Sequence, residues 1–261
     1  MKKIISWNVA SVRARLPALE RLLSEYKPDI VLLQETKTTE EQFPFLDMAG
    51  FGYKVALSPQ KAYNGVAVLS KEPMANIKTA FPNMPLEEAR FVETHLSDGI
   101  IVISVYVPNG ASPAKDPSNP ERLNYKLEWF DKLNAYVKSL LDDGKKVILG
   151  GDFNVIYQDG DVYNPAVFED SPLMIEPVRE QFRKLSSLSF INSVRHFNKE
   201  NGVYSFWDFQ GGAWFKNNGI LLDTIFVSEN MADRLQNAEI LKEVRGWEKT
   251  SDHAPVLCVL E

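Results

Sequence analysis

The first 35 residues restrict the fold more tightly than any later stretch. Residues 2–8 read as an apolar strand that ends at Asn8. Residues 13–26 then carry Leu16, Leu19, Leu22, Leu23 and Tyr26 at helical spacing. Pro17 falls in the first turn of that helix, where its missing N–H costs nothing. Pro28 stops the helix, and Asp29-Ile30-Val31-Leu32-Leu33-Gln34 is a buried strand with Glu35 at its end. Strand, helix and strand joined by connections this short form an α/β unit.

The middle of the chain changes character. Residues 53–57, 66–69, 90–96 and 100–107 are short strand-like runs, separated by Asn64-Gly65, Lys71-Glu72-Pro73 and Asp98-Gly99. Asp-Gly between two such runs is a hairpin signal, so the segment reads as an antiparallel meander. A loop rich in Pro, Ser and Lys follows, through Pro120. The clearest helix spans 121–143, with Leu123, Leu127, Phe130, Leu133, Val137, Leu140 and Leu141 in one stripe and Gly144 as its stop. Val147-Ile148-Leu149 is a strand running into Gly150-Gly151-Asp152-Phe153-Asn154, and the two glycines are expected to turn the backbone there. If the strand pattern continues past them, Asp152 and Asn154 share a face. Residues 155–175 have no periodicity and form a loop. A helix at 177–188, an aromatic stretch at 204–209, strands at 221–227 and near Ile240, a short helix near Met231 and a terminal strand at 254–260 complete the chain. No repeat or linker interrupts this order. The expected fold is one α/β domain of two stacked sheets with helices outside.

Composition narrows the function classes. The 44% hydrophobic and 25% charged content is that of a globular protein, and no run approaches the roughly 20 apolar residues of a membrane span. The N-terminal apolar stretch is too short for a signal peptide, so a cytoplasmic protein is expected. The single cysteine, Cys258, excludes an intrachain disulfide and cysteine-based zinc sites, and it lies in an apolar run as core. The net charge of −6 argues against general polyanion binding, although a local basic rim still grips phosphates.

The polar residues that end apolar strands form a set: Asn8, Glu35, Tyr106, Asp152 with Asn154, Asp223, and Ser251-Asp252-His253. Each has an ordinary reading as a turn or a solvated strand end. Together, on one side of stacked sheets, they have a chemistry. Glu35 and Asp252 are hard oxygen ligands suited to Mg²⁺ or Mn²⁺. Asp152 takes a proton from water, and Asp223 fixes the tautomer of His253 and raises its pKa. His253 and Tyr106 stabilise charge on phosphoryl oxygens. The set fits metal-assisted phosphoester hydrolysis.

Six blocks then match a known family in order: Ser6-Trp7-Asn8-Val9; Pro28-Asp29-Ile30-Val31-Leu32-Leu33-Gln34-Glu35-Thr36-Lys37; Gly65-Val66-Ala67; Tyr106-Val107-Pro108-Asn109; Gly151-Asp152-Phe153-Asn154; and Ser251-Asp252-His253-Ala254-Pro255-Val256. Over essentially its whole length the chain resembles the exonuclease III family of abasic-site DNA endonucleases, within the endonuclease/exonuclease/phosphatase superfamily. The resemblance implies a four-layered α/β sandwich. It also implies Mg²⁺-dependent hydrolysis of the phosphodiester 5′ to an abasic site, leaving a 3′-hydroxyl, with removal of 3′-blocking groups and 3′→5′ exonuclease activity alongside. Carried over by position, Glu35 is the main metal ligand with Asn8 and Asp252 close to the ion. Asp152, Asn154 and His253 form a possible second metal position. Asp152 acts on the water, Asn154 holds it or the phosphate, His253 pairs with Asp223, and Tyr106 touches the phosphate or the leaving group. Phe206, Ile220 and Leu222 match the pocket for the flipped-out abasic sugar. The expected partner is double-stranded DNA with abasic or 3′-blocked sites, bound by a monomer. It would be contacted by Arg13, Arg15, Lys37, Lys61, Arg90, Lys115, Lys126 and Lys216, with Trp207 and Trp214 as wedges.

The chain departs from the family in places. Ala10 and Ser11 stand where an acidic or amide residue and a Gly are usual, Leu221 replaces a basic residue before Asp223, and the loop at 155–175 differs. A related phosphodiesterase without abasic specificity, or a DNA-binding relative with weak catalysis, stays open on the sequence alone.

Overall fold

The computed structural model describes residues 1–85, 88–111 and 119–261. The strands among them are β1 (Lys2–Asn8), β2 (Ile30–Gln34), β3 (Lys54–Ser58), β4 (Val66–Ser70), β5 (Met74–Lys78), β6 (Phe91–Leu96), β7 (Ile100–Tyr106), β8 (Lys146–Asp152), β9 (Phe190–Asn192), β10 (Asp223–Ser228), β11 (Leu235–Ile240) and β12 (Val256–Leu260). The helices are α1 (Leu16–Tyr26), α2 (Phe45–Gly50), α3 (Glu121–Asp142), α4 (Glu176–Ser187), α5 (Ser193–Phe197), α6 (Ala213–Lys216) and α7 (Lys242–Arg245). Two six-stranded sheets result, in the orders β11-β12-β1-β2-β4-β3 and β5-β6-β7-β8-β10-β9.

Both sheets are built alike. Each has one parallel pair at its centre, β1–β2 in the first and β7–β8 in the second, with antiparallel strands on either side. A parallel pair needs a crossover, and α1 and α3 supply the two crossovers. The chain therefore uses one pattern twice without a visible sequence repeat. The expected meander is real in its pairings but divided: β3 and β4 close the first sheet, whereas β5, β6 and β7 open the second. A run of short strands fixes local pairing and leaves open where the chain crosses between sheets.

The side-chain period of two sorts each strand between layers. Ile4, Ile30, Leu32 and Val68 of the first sheet meet Val92, Val102, Ile148 and Ile225 of the second in an apolar interior. Their neighbours Ile5, Val31 and Leu33 face outward onto Leu19, Leu22 and Leu23 of α1. Ile101, Ile103, Val147 and Leu149 pack under Trp129, Phe130 and Leu133 of α3 and Phe182 of α4. Covered on both faces, the central strands read as unbroken apolar runs. The result is the four-layered α/β sandwich.

Gly150 and Gly151 lie inside β8 and do not form the turn expected of them. Their reason is close approach. A Cβ at Gly150 would come 2.5 Å from Leu32 Cδ1 of the facing sheet, and one at Gly151 would come 1.9 Å from the Val105 carbonyl oxygen. Gly150 thus lets the facing sheet come close beneath the end of β8, while Gly151 accommodates the neighbouring strand β7 of its own sheet. Just below that end, the buried amide of Gln34 donates to Ser6 Oγ (3.3 Å) and to Ser104 Oγ (3.0 Å), a polar tie across the interior.

Candidate active site

Topology gathers the strand-end residues on one rim. In each parallel pair both C-terminal ends point the same way, which brings Asn8, Glu35, Tyr106 and Asp152 to one edge of the sandwich. The antiparallel neighbours begin where these end. Asp223 opens β10 directly opposite Asp152, and Tyr106 is the register partner of Asp152 on its other side. His253 precedes β12, which runs antiparallel to β1. Six of the residues named from sequence therefore meet because of strand direction and register.

The contacts are specific. The Asn8 Nδ2 amide donates to Glu35 Oε1 (2.8 Å) and to Asp152 Oδ2 (2.9 Å), joining the two sheets. Its oxygen accepts the Ala10 N–H at 3.1 Å, so Asn8 bridges the two carboxylates through its amide nitrogen. His253 Nδ1–H donates to Asp223 Oδ2 at 2.7 Å, which fixes the tautomer, and Nε2 faces Asp152 Oδ2 at 3.8 Å. Asp223 Oδ2 also accepts from Ser205 Oγ at 2.6 Å. Ser205 Oγ in turn accepts the N–H groups of Leu222 (3.0 Å) and Asp223 (3.1 Å). Ser205 was legible only as a small residue inside the aromatic stretch, yet it orients the carboxylate that orients the histidine. Trp7 Nε1 holds the His253 carbonyl at 2.9 Å, and Ser251 Oγ donates to the Asn8 carbonyl at 2.6 Å.

Asn154 does not continue the strand. Its φ is +51°, its backbone N–H donates to Asp152 Oδ1 at 2.9 Å, and its side-chain amide donates to the Val107 carbonyl at 2.8 Å. Asp152 and Asn154 are joined by a tight turn instead of sharing a strand face. Glu35 and Lys37 are also left-handed, at φ +51° and +49°, and Gly65 presses against this turn, since a Cβ there would lie 2.2 Å from Thr36 Oγ1. Residues held in sparsely populated backbone regions cluster where surrounding structure over-determines them.

The electrostatics follow from burial. Burial alone would lower the pKa of His253, but the carboxylates of Asp223, Asp152 and Asp252 outweigh it and carry it up to about 10. Burial and the charge of Asp223 raise Asp152, against the pull of His253 and the Asn8 amide. Burial would raise Glu35 as well, but Lys37, whose Nζ lies 2.7 Å from Oε2, and the Asn8 amide hold it below the usual carboxylate range. Tyr106 is pushed well above its ordinary value by burial and by the charges of Glu35 and Asp152, so its phenol keeps its proton as a donor.

A divalent cation suits this donor set. Asp152, Asp223 and His253 place ligand atoms within 4.8 Å of one another, and Asp223 Oδ1 is buried without a hydrogen-bond partner. Glu35 already takes an ammonium on one oxygen. A buried surplus of carboxylate charge is stable only with such cationic partners.

Beside the site lies a cleft of about 520 Å³ lined by residues including Tyr163, Phe168, Leu173, Phe206 and Ile220. The Phe206 ring lies 4.9 Å from the His253 ring, and Ile220 and Leu222 belong to the apolar cluster behind it. Phe206 and Ile220 line this cleft, with Phe206 against the histidine, whereas Leu222 lies in the apolar cluster behind it.

The expected surface contacts divide. Arg13, Lys61 and Lys216 are exposed. Lys126 is not: it is fully buried on α3, with burial pushing its ammonium down to about 7, and it does not reach a bound polyanion. Arg90 is nearly buried as well, held by Glu88 at 2.5 Å with its guanidinium over the Tyr106 ring. Trp207 is fully buried, packed edge-on against Trp214 and bonded to Asn217, and is no wedge. The exposed aromatics of that segment are Phe215, 92% exposed, and Phe209, set between Arg15 and Arg245. Lys115 lies outside the described residues.

Fold and site together define a phosphoester hydrolase of the two-sheet sandwich type. The sequence pattern of the Endonuclease/Exonuclease/phosphatase family matches residues 5–253, and the chain belongs to that family. It is 33% identical to an exodeoxyribonuclease of Bacillus subtilis (strain 168) over 99% of both chains, and 30% identical to exodeoxyribonuclease III of Haemophilus influenzae over 97% of this chain and 98% of that one. Among solved structures, a 3′ phosphatase from Neisseria bound to product DNA hairpin superposes with a TM-score of 0.94 at 32% identity, covering all of both chains. An AP endonuclease from Archaeoglobus fulgidus gives 0.93, also at 32% identity and full coverage. The protein is a nuclease of this exonuclease III and AP endonuclease group.

Proposed function

We propose that this nuclease is a metal-dependent DNA repair enzyme that hydrolyses the phosphodiester 5′ to an abasic site, leaving a 3′-hydroxyl, and that also clears 3′ ends. The observation that carries the reading is the juxtaposition of the Asp152–Asn8–Glu35 and His253–Asp223 pairs with an apolar cleft whose Phe206 wall touches His253. A base-free sugar fits such a cleft, and its extrusion costs less than that of a paired nucleotide.

In this reading Asp152 orients a water and takes its proton, as its raised pKa suits it to do. The water oxygen bonds to phosphorus and the bond from phosphorus to the 3′-oxygen breaks; that oxygen takes a proton from solvent water and leaves as a hydroxyl, and Asp152 afterwards returns its own proton to solvent. His253, held cationic by Asp223, and the protonated Tyr106 donate to the phosphoryl oxygens. Asn154 holds the water or phosphate beside Asp152. Glu35 and Asp252 would hold Mg²⁺, or Mn²⁺, with Asn8 bridging; Asp152 and Asn154 offer a second position, which His253 would join only with its Nε2 deprotonated. When bound, the ion polarises the phosphoryl group and offsets its charge. Arg13, Lys37, Lys61, Lys216 and the half-exposed Trp214 form the rim that meets double-stranded DNA. The same reading takes residues 1–261 as one catalytic domain, acting as a cytoplasmic monomer. No described helix is long and apolar enough to cross a membrane.

The test is a duplex with a single tetrahydrofuran abasic analogue. Nicking 5′ to the analogue with Mg²⁺, and none in EDTA, is expected. Equal rates on intact and abasic duplex would remove the abasic specificity, and undiminished cleavage in EDTA would remove the metal.

A further inference from the structure

Lys126 is a fully buried lysine with no role in the chemistry outlined above. It sits in the second turn of α3, and its ammonium makes three hydrogen bonds, all to backbone carbonyls. Nζ donates to Asn154 O at 2.7 Å, to Pro172 O at 2.7 Å and to Asn109 O at 3.1 Å. Those carbonyls belong to two connections: Asn109 to the one leaving β7 after Tyr106, and Asn154 and Pro172 to the start and the far end of the long one between β8 and α4. Each borders the site. Removing a charge from water in exchange for neutral acceptors is costly, and a lysine so placed is kept for what its three donors hold together.

What they hold is Asn154. Its left-handed backbone, at φ +51°, is fixed by three bonds: its N–H to Asp152 Oδ1, its amide to the Val107 carbonyl, and its own carbonyl to Lys126. Val107 is in turn tied to Asp152, whose carbonyl accepts the Val107 N–H at 2.9 Å. Lys126 therefore closes a ring of hydrogen bonds through both sides of the Asp152–Asn154 turn. The stem is confined too. A Cβ at Gly110 would stand 2.7 Å from Lys126 Cδ and 3.2 Å from Pro172 Cβ. The chain at Gly110 has closed down on the lysine.

We propose that Lys126 is a positioning residue for the nuclease reaction, clamping the β7–α3 connection to both ends of the β8–α4 connection so that Asn154 stands in working register with Asp152. The proposal rests on the phosphodiesterase reading of the site. It assigns Lys126 an internal role in place of the surface DNA contact expected from its charge. Lys126→Met keeps the length of the stem and removes the donors.

The experiment measures kcat and KM per folded molecule for wild type, Lys126→Met, Asn154→Ala and the double variant. The substrate is an abasic or a 3′-phosphate duplex, whichever the wild type turns over. A failure of the abasic reading then shows in the wild type, and a failure of this proposal only in the variants. The expected result is a fall in kcat of about 10²-fold for Lys126→Met with KM changed by no more than about threefold, as for a misplacement of about 1 Å. The double variant should be no slower than Asn154→Ala alone, because the clamp acts through that residue. Unchanged kcat in folded Lys126→Met, or losses that add in the double variant, would overturn the proposal. Should Lys126→Met not fold, Gly110→Ala pushes on the stem with the charge intact, while also straining the backbone at φ +84°. The same kcat-only loss is expected there, and wild-type kcat in that variant would refute the clamp.

Discussion

Asp223→Asn tests the electrostatic centre of the site. Asp223 accepts from His253 Nδ1–H at 2.7 Å and from Ser205 Oγ at 2.6 Å, while its other oxygen is buried without a partner. The amide keeps the shape but removes the charge that, with Asp152 and Asp252, lifts His253 from 6.5 to about 10. Burial then dominates and the imidazole falls toward or below 6.5. At pH 7.5 a group of pKa ~6.5 is charged in only about a tenth of molecules. The lost charge and the weakened orientation together predict a fall in kcat of about 10²–10³-fold, the scale of losing one donor to a developing anion. The alkaline limb of the pH–rate profile should move down by several units. Stability follows the same linkage. The raised His253 pKa stabilises the fold fully below about pH 6.5, and that contribution is lost as pH rises through about 10. The stability gap between wild type and Asp223→Asn should therefore be widest in acid and close toward pH 10. Nicking of the abasic duplex from pH 5.5 to 10, with urea unfolding over the same range, measures both. A variant with kcat within threefold of wild type and an unmoved alkaline limb would refute the reasoning.

Three further outcomes are expected. Asp152→Asn should cut turnover by at least about 10³-fold while DNA affinity, read by fluorescence anisotropy, stays within about threefold, because the residue acts on the water. Ser11 has φ +97°, a conformation that favours glycine, and Ser11→Gly should raise the urea-unfolding free energy by roughly 1 kcal/mol as strain relief exceeds the entropy cost. Phe206→Ala removes the wall between the cleft and His253. It should narrow the preference for abasic over intact duplex by about tenfold, measured as the ratio of kcat/KM values, and an unchanged ratio would separate the cleft from specificity.

The site was legible in sequence where a polar residue ended an apolar run. Asn8, Glu35, Asp152, Asp223 and His253 all carry that mark, and strand direction brings them together. Residues whose roles depend on a neighbour's position carried no such mark. Ser205 looked like a spacer between aromatics, yet it holds Asp223. Charge was a misleading guide for Lys126 and Arg90, because composition does not record which side of a helix or strand lies under a loop. Aromatic character misled in the same way: Trp207 is core while Phe215 stands in solvent.

By itself the sequence determined the first strand–helix–strand unit, the helix at 121–143, the stacking of two sheets with helices outside, and the set of polar residues that mark strand ends. Hydrophobic periodicity and strand-end polarity are local properties, read without knowing what packs on what. Only the tertiary structure decided how the short strands divide between sheets, and that Gly150 and Gly151 make room for the facing sheet and for the neighbouring strand instead of turning the chain. It also decided that Asn8 bridges two carboxylates and that Lys126 faces inward. Those outcomes depend on contacts between segments far apart in the chain. There, the cost of a buried charge or a strained φ is balanced by groups that no local pattern names.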